Sequence, residues 1–381
     1  MKKKSCLILI FFQIFGLFMI SVKNSQFWEK FLKFLNLFYI FLAIFTLGIA
    51  LVYKEMIFDI RTTLGAIMDI IQLAFPVATT VLSLIESFRK REILRRIWNE
   101  FQFIQRLLFK ISIQSQSSMV FTETYKTFLK KFIIFNGSAT FIEIFILIRL
   151  REDYPWLRHR SAAFLPSLIT RSAVFLYILH VDIFGAISKQ IATIFTEIST
   201  RDKILPEDRR NVKICWIIMT KLWLCTEYLR KTFAPSLLGI ITSYCILLTV
   251  NFYWNFKAFF RKSTTNVLES SLCSTPFLLS LLPLGFSGEL YRVRRRTIFT
   301  QITGIASRCS ARTSFGRILR NISLSGLQDE LTITSWQFLS IDRRLLSEIS
   351  QTIGIYLTIF IQFEITYYGQ YVGKYVYSGL N

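Results

Sequence analysis

Charged and polar side chains interrupt the apolar stretches of this chain at few positions. Such groups are costly inside a membrane, and they mark ligand, ion or proton sites, or pairs that neutralise each other. Seven are candidates for contact with a small polar ligand: Asp69, Gln72, Glu143, Arg171, Asn251, Trp254 and Ser271. Carboxyl, amide and hydroxyl groups beside aromatic faces suit a small polar ligand in a water-filled pocket. Two alternatives stay open: Arg171 only neutralises Asp69 or Glu143 so that helices can pack, and Ser271 only packs.

Catalytic and metal-binding patterns are missing from the sequence. It contains no phosphate-binding glycine loop, no HExxH or GxSxG motif and no set of kinase motifs. The two histidines, His159 and His180, lie in a basic loop and in an apolar stretch, so a shared metal site would need distant partners. We therefore expect no enzyme activity, no cofactor and no metal site.

The composition predicts a membrane protein. Hydrophobic residues make up 52% of the 381 residues and include 38 phenylalanines, while charged residues make up 18%; a soluble domain has about 25% charged residues. A net charge of +22 would indicate nucleic acid only if the basic residues shared one soluble face. They lie instead in the gaps between apolar runs, which is the positive-inside pattern. We expect membrane lipids, not nucleic acid, as partners.

The apolar runs predict an all-α integral membrane protein with seven transmembrane helices and long intracellular helical extensions. The predicted spans are 34–53, 64–85, 132–150, 164–187, 235–256, 267–286 and 350–368, each long enough for a hydrocarbon core of about 30 Å. With a cytoplasmic N-terminus, the inner segments contain 34 lysines and arginines and the outer segments contain 10. This orientation is therefore favoured, and it places the candidate ligand residues in the outer third of their spans.

Three segments outside the spans are predicted to be helical. Residues 1–33 favour an amphipathic or re-entrant helix at the cytoplasmic face over a signal peptide. Phe88–Lys110 and Arg209–Thr232 each have apolar residues three and four positions apart. Their stripes could lie on lipid or pack subunits together in a cytosolic bundle, and packing is favoured. From Leu327 to Phe363 the helical pattern persists, so the first half of that helix should stand in the cytosol.

The segment before the C-terminus has a recognisable motif. Tyr356 is followed by the five residues 357–361, of which four are apolar, and then by Gln362 and Phe363. This arrangement resembles the C-terminal signature of insect gustatory receptors, TYhhhhhQF, in which h is an apolar residue. Ile355 replaces the leading threonine, so a hydrogen bond from that hydroxyl would be lost. Residues 338–346 resemble the aromatic, apolar and Asp-Arg segment that precedes the signature in the same family.

The resemblance implies a tastant-gated, non-selective cation channel in the plasma membrane of chemosensory neurons. It implies a homotetramer or heterotetramer with other gustatory receptors, and a tastant that binds in an outer pocket. The expected pore and gate residues are Tyr356, Phe360, Gln362 and Phe363. A ring of Phe363 side chains would close the path by dewetting, Gln362 amides would offer polar groups when it opens, and Tyr356 would brace the helix.

The same interpretation divides the chain into five parts. These are a cytoplasmic or interfacial helix (1–33), six helices with a ligand pocket facing outward (34–290), a cytoplasmic anchor (291–349), a pore-lining helix (350–368) and an extracellular tail (369–381). Alternatives are an odorant-receptor-like channel and a secondary transporter. A transporter would need matching interrupted helices in two halves of the chain, and Pro76, Pro276 and Pro283 do not form such a pair.

Overall fold

The computed structural model describes residues 3–20, 26–52, 63–111, 116–150, 158–201, 204–260, 264–309, 313–328, 334–335 and 339–378. Within them the chain forms helices α1 (Lys3–Ile14), α2 (Gln26–Val52), α3 (Thr63–Arg89), α4 (Arg91–Ile111), α5 (Gln116–Phe132), α6 (Ser138–Phe145), α7 (Arg158–Thr200), α8 (Pro206–Phe260), α9 (Thr264–Arg308), α10 (Ser314–Gln328) and α11 (Arg343–Ser378). Two π-helical turns, Ile133–Gly137 and Ile146–Leu150, extend α5 and α6 into one helical segment. This segment, residues 116–150, is called the third span helix below. The prediction of an all-α protein is confirmed.

Six helical segments of the described chain are long and apolar enough to cross a membrane. They are Gln26–Val52, Ile70–Arg89, Thr122–Ile148, Ser161–Thr200, Pro206–Phe259 and Ser270–Arg308, and they contain or overlap the first six predicted spans. The seventh predicted span, 350–368, lies within α11, which is helical throughout but does not belong to those six. Gln351, Gln362 and Glu364 make its sequence more polar than theirs.

Helix α7 lies at the centre of the bundle. In its most apolar stretch 72% of the residues are buried inside the chain, against 17% in α2 and in the third span helix. Apolar residues on all sides suit a helix surrounded by other helices. Phe175, Phe184 and Phe195 follow one another down this helix and are fully buried. Because α7 is enclosed by its neighbours, the polar side chains on it must find partners within the protein.

Helix α8 continues without interruption from its start at Pro206 to Phe260. Its 55 residues correspond to a length of about 80 Å, well beyond the thickness of a bilayer. Asp208 stabilises its first turn by accepting a hydrogen bond from the amide of Leu205 (2.9 Å) and by pairing with Arg201 (2.6 Å). The helix predicted at 209–232 and the span predicted at 235–256 are thus one element, with Pro235 inside it.

The amphipathic helix predicted at 88–110 is α4. Its stripe of apolar residues is buried inside the chain, where α4 packs against α8: Leu94, Ile97, Trp98, Phe101, Ile104 and Leu108. On α8, Val212, Cys215, Leu222 and Leu229 of the second predicted stripe are buried in the same cluster, while Trp223 remains 45% exposed. The larger part of both stripes therefore packs within this chain and not on lipid.

The N-terminal segment packs into the bundle through a buried asparagine. Asn36 on α2 donates from Nδ2 to the carbonyl oxygens of Gly16 (2.8 Å) and Leu84 (3.1 Å). Gly16 has φ of 68°, and a Cβ there would lie 3.0 Å from the Cα of Asn36, so glycine suits both the backbone angle and the close approach. Beyond this turn, Phe18 packs edge-on against Trp98 with ring centroids 5.5 Å apart.

The start of α11 differs from the sequence-based prediction. The expected continuous helix from Leu327 to Phe363 is wrong, because α10 ends at Gln328, two-residue strands β1 (Thr334–Ser335) and β2 (Leu339–Ser340) pair antiparallel, and α11 begins at Arg343. Asp342 caps the new helix by accepting from the amide of Arg344 at 2.8 Å, which satisfies an amide at the helix start. Its other carboxylate oxygen lies 3.5 Å from Arg292 on α9.

Candidate functional site

A pocket opens where α3, the third span helix, α7, α8 and α9 meet. It has about 510 Å³ of empty space, including its opening, and it is lined by Gln72, Pro76, Glu143, Ile146, Leu147, Ala163, Phe164, Ser167, Leu247, Asn251, Cys273 and Phe277. The enclosed cavity itself has a volume of about 40 Å³, well below the range of about 300–1,000 Å³ that is typical of sites for small organic ligands, so a ligand would have to widen it. Gln72, Glu143 and Asn251 are brought together here from three different helices, as the convergence of their depths in the sequence predicts.

An ion pair forms the polar wall of this pocket. Arg171 on α7 is 1% exposed, and its Nη1 donates to Oε1 of Glu143 on the third span helix. Its Nη2 donates to Thr140 Oγ1 (3.2 Å) and its Nε to Asn136 Oδ1 (3.4 Å). Arg171 therefore stands behind Glu143 and does not line the pocket. The pairing agrees with the packing alternative for Arg171, while the carboxylate itself remains at the pocket wall.

Two π-helical turns lie on either side of Glu143. The first, Ile133–Gly137, contributes Asn136, which Arg171 contacts, and the second, Ile146–Leu150, contributes the lining residues Ile146 and Leu147. A π turn accommodates one more residue than an α turn, shifts the direction of the side chains that follow, and is frequent at functional sites. The local geometry of the third span helix thus sets both the ion pair and one wall of the pocket.

Trp254 and Ser271, two other predicted ligand residues, do not line this pocket. Trp254 packs edge-on against Tyr253, and the ammonium of Lys257 lies 5.5 Å from its ring centroid. Ser271 is exposed and donates to the carbonyl oxygen of Val267 at 2.8 Å. The side chain of Asp69 lies outside the described residues, so its expected role stays a prediction.

Uncharged pocket residues were missed by the sequence analysis. Phe164 and Ser167 of α7 and Phe277 of α9 line the pocket, yet none carries an ionisable group that separates it from ordinary packing residues. Their position does leave a weak signal, because Ser167 follows Pro166 and Phe277 follows Pro276. A proline within a helix frees a backbone carbonyl and bends the axis, which favours a cavity nearby.

The predicted gate residues occupy two different sides of α11. Tyr356 and Phe363 are 52% and 69% exposed, and seven residues apart on a helix they share one face. Gln362 is also exposed and lies on the adjacent side. Phe360 instead packs inside the chain, edge-on against Tyr253 of α8 with ring centroids 5.8 Å apart. Its placement favours a contact between helices over a position on the open face.

The contact between Phe360 and Tyr253 also connects α11 with the pocket. Val250 and Tyr253 of α8 form a small buried cluster with Met68, and Leu357 and Phe360 of α11 pack against it. Asn251, which lines the pocket, lies between these two residues in the sequence of α8. A change in the pocket at this position is therefore one helical turn from a residue that touches α11.

The ligands of a metal site do not come together in the described ranges. No group of three or more His, Cys, Asp and Glu there could hold a metal ion. His180 is fully buried, shares a hydrogen bond from Nδ1 with the Leu176 carbonyl oxygen (2.7 Å), and packs against Trp98 and Phe233. It is a packing residue of the core.

Comparisons with known proteins agree with this architecture. The family profile described as 7tm Chemosensory receptor matches residues 5–367. The solved structure of the insect olfactory receptor OR5 from Machilis hrabei has a TM-score of 0.62 and 12% identity, covering 95% of this chain and 98% of that chain. The structure of the same receptor in complex with eugenol has a TM-score of 0.63 and 12% identity, covering 94% and 97%. At this identity the likeness concerns the fold alone. No curated protein sequence matches the chain significantly.

Proposed function

Because this chain belongs to the 7tm chemosensory receptor family, we propose that it is a gustatory receptor, a non-selective cation channel that a tastant opens. The observation that carries this proposal is the pocket beside the Glu143–Arg171 pair, which lies one helical turn from a contact with α11. Widened by its ligand, such a pocket would hold a small molecule, and α11 has an open face with polar residues. Binding and opening are thereby connected within one chain.

The choice of gustatory over olfactory receptor rests on the C-terminal sequence. Tyr356, Gln362 and Phe363 stand at the spacing of the gustatory signature, although Ile355 replaces its threonine. The two solved structures described above are of an olfactory receptor, and at 12% identity their fold is compatible with both branches. That one of them binds eugenol supports a small organic molecule as the ligand class.

Helix α11 is the proposed pore helix of a tetramer. Its described residues from Gly354 to Phe363 are exposed or half-buried, so this part of the helix has room for copies of itself or a central path. Gln362, beside the face that carries Tyr356 and Phe363, would be poorly placed against lipid, because an amide inside hydrocarbon is costly. Four Phe363 rings would close the path by dewetting and four Gln362 amides would border it when open.

Phe360 has a different role in this proposal. Its ring packs on Tyr253, so it transmits the state of α8 to α11 and does not border the path. A tastant opens the channel only if it binds the open arrangement more tightly than the closed one. A shift of α8 beside Asn251, passed on through Tyr253 and Phe360, supplies a physical difference between the two arrangements.

Whole-cell currents test the proposal directly. Full-length chain expressed at the cell surface should give a ligand-evoked current that reverses near zero millivolts during application of a mixed panel of sugars and bitter compounds. Gln362→Ala and Phe363→Ala should each change the basal or evoked current at unchanged surface expression.

Phe41→Ala provides the matched control for these variants. Phe41 on α2 is 64% exposed, close to the 69% of Phe363, and α2 has no proposed part in the path. Its currents should equal those of the unaltered chain. Unchanged currents in both Gln362→Ala and Phe363→Ala would remove the assignment of α11 as the pore helix.

A further inference from the structure

The pocket offers a ligand few hydrogen-bonding groups. Apart from Gln72, Glu143, Ser167 and Asn251, its lining side chains are apolar or, as in Cys273, only weakly polar. The Asn251 amide already donates to the Cys273 carbonyl oxygen at 3.4 Å. A ligand hydroxyl that enters without a partner loses its bonds to water and weakens binding. Molecules with many hydroxyl groups therefore fit poorly, and a mostly apolar body fits well.

One hydrogen-bond acceptor at the pocket wall has no donor among the described residues. Glu143 borders the pocket; its Oε1 accepts from Arg171, while its Oε2 is buried and accepts no hydrogen bond from any described residue. An ionised carboxylate can accept about four hydrogen bonds, and a buried oxygen without a donor is unfavourable. A ligand with an O–H or N–H group can reach this carboxylate through a rotation of the Glu143 side chain and satisfy it.

The charge at this wall selects against ions of either sign. Arg171 is bound by Glu143, Thr140 and Asn136 and does not line the pocket, so an anion entering the pocket meets the carboxylate first. A cation would meet a carboxylate that Arg171 already neutralises, and its own charge would stay uncompensated in an apolar site. An uncharged donor avoids both costs.

We propose that the pocket selects uncharged amphipathic molecules, in which one O–H or N–H group donates to Glu143 and an apolar body packs against Phe164 and Phe277. Sugars, carboxylates and ammonium ions are excluded as its ligands. This proposal rests on the proposed function, since it specifies the ligand class of the same pocket. Arg171 is a positioning residue, because it holds the carboxylate in place and touches the ligand only through it.

Direct binding tests the proposal independently of current. The full chain in lipid nanodiscs is titrated, with ligand-observed NMR as the readout, against two skeletons, benzyl and hexyl. Each is supplied as the alcohol, the methyl ether, the carboxylate and the ammonium ion, and glucose is added to the panel. We expect the alcohol of at least one skeleton to bind about tenfold or more tightly than its ether, carboxylate and ammonium counterparts and than glucose.

A double variant connects this preference to the ion pair. Glu143→Leu combined with Arg171→Met removes both charges and the acceptor, so no buried charge is left alone and the alcohol loses its partner; the ratio of ether to alcohol dissociation constants should fall to within about threefold. Glu100→Gln is the matched control, because Glu100 is also paired, with Lys221 at 3.0 Å, and is not a lining residue. It should keep the full ratio.

Each outcome decides the proposal. Equal binding of alcohol and ether, tighter binding of glucose or of an ion, no binding by either alcohol, or an unchanged ratio in the double variant would overturn it. Whole-cell currents separate it from the proposed function: alcohol binding with the expected ratio but without any evoked current would leave the ligand class standing and remove the gated channel.

Discussion

Arg171 shows how a buried charge is tolerated in this protein. It is 1% exposed and donates to three side chains of the third span helix, Asn136, Thr140 and Glu143. A buried cation without such partners would be strongly unfavourable. The pair is therefore structural, and the same contacts that hold Arg171 also set the direction of the Glu143 carboxylate in the proposed ligand pocket.

Removing one member of the pair should cost more than removing both. Arg171→Met leaves the Glu143 carboxylate buried without its cation, and we expect the free energy of unfolding to fall by about 3–5 kcal/mol. Adding Glu143→Gln should recover most of that loss, because the uncompensated charge disappears. Thermal unfolding of the detergent-solubilised variants measures both changes. Equal losses in the single and double variants would show that the pair contributes packing only.

At the residue scale, the sequence located polar groups better than it located their neighbours. Gln72, Glu143 and Asn251 were predicted to lie together because the position of a residue along a membrane-spanning helix gives its depth in the bilayer. These three polar residues have similar depths, and polar groups are costly enough inside a membrane to suggest a shared site. Phe164 and Ser167 were missed because their types are equally common in packing positions. The inward direction of Phe360 depends on its contact with Tyr253, which no local pattern in α11 specifies.

The backbone of α9 closely approaches the backbone that leads into α11, the proposed pore helix. A Cβ added to Gly288 would lie 1.7 Å from the carbonyl oxygen of Ile341, and one added to Gly285 would lie 3.2 Å from that of Asp342. Glycine at these two positions lets α9 touch the backbone that leads into α11. Since α9 also contributes Cys273 and Phe277 to the pocket, it would form a second connection between the proposed ligand pocket and the proposed pore helix.

Gly288→Ala tests this junction. The added methyl group cannot fit against a backbone carbonyl, so α9 and the start of α11 must move apart, and we expect a loss of stability of about 1–3 kcal/mol together with altered basal current. Gly304→Ala on the same helix is the matched control, because nothing lies within 4 Å of its added Cβ. It should leave both stability and current within the error of the unaltered chain. Equal behaviour of the two variants would contradict the close contact.

Helices were predicted well where the spacing of apolar residues and the length of the apolar run both indicate a helix. The connections between helices were predicted less well. The helix at 88–110 followed from its stripe, whereas the continuity of α8 through Pro235 did not, because a proline usually ends or kinks a helix. The pair of short strands before α11 was missed for a related reason. A strand of two residues is too short to show the alternation of apolar and polar side chains. The helical spacing of apolar residues on both sides concealed the break between α10 and α11.

For the whole molecule, the distribution of basic residues carries the prediction of orientation. The inner segments proposed here hold 34 lysines and arginines and the outer segments hold 10, which favours a cytoplasmic N-terminus and an extracellular C-terminus. Epitope tags at the two ends test it. In intact cells antibody should label the C-terminal tag alone, and both tags should be labelled after permeabilisation. Labelling of the N-terminal tag in intact cells would reverse the orientation.

Assembly is the property of the whole molecule that the sequence specifies least. The open part of α11 extends over more than half of its circumference between Gly354 and Phe363, and neighbouring copies, lipid and a central path could each cover part of it. Helical amphipathicity distinguishes the buried face of a helix from its open face. It does not show which part of the open face contacts another copy, which part contacts lipid and which part borders a central path. The family resemblance, not the residue pattern, is what supplied the expected tetramer.

The packing of the first twenty residues bears on how the protein is made. Phe11 and Phe12 rest against Phe132, Phe18 rests against Trp98, and Gly16 is held by Asn36. During synthesis this segment leaves the ribosome before the residues that hold it, and Trp98 and Phe132 are translated long after it. Its contacts with these two rings can therefore form only once the chain has been made as far as the third span helix.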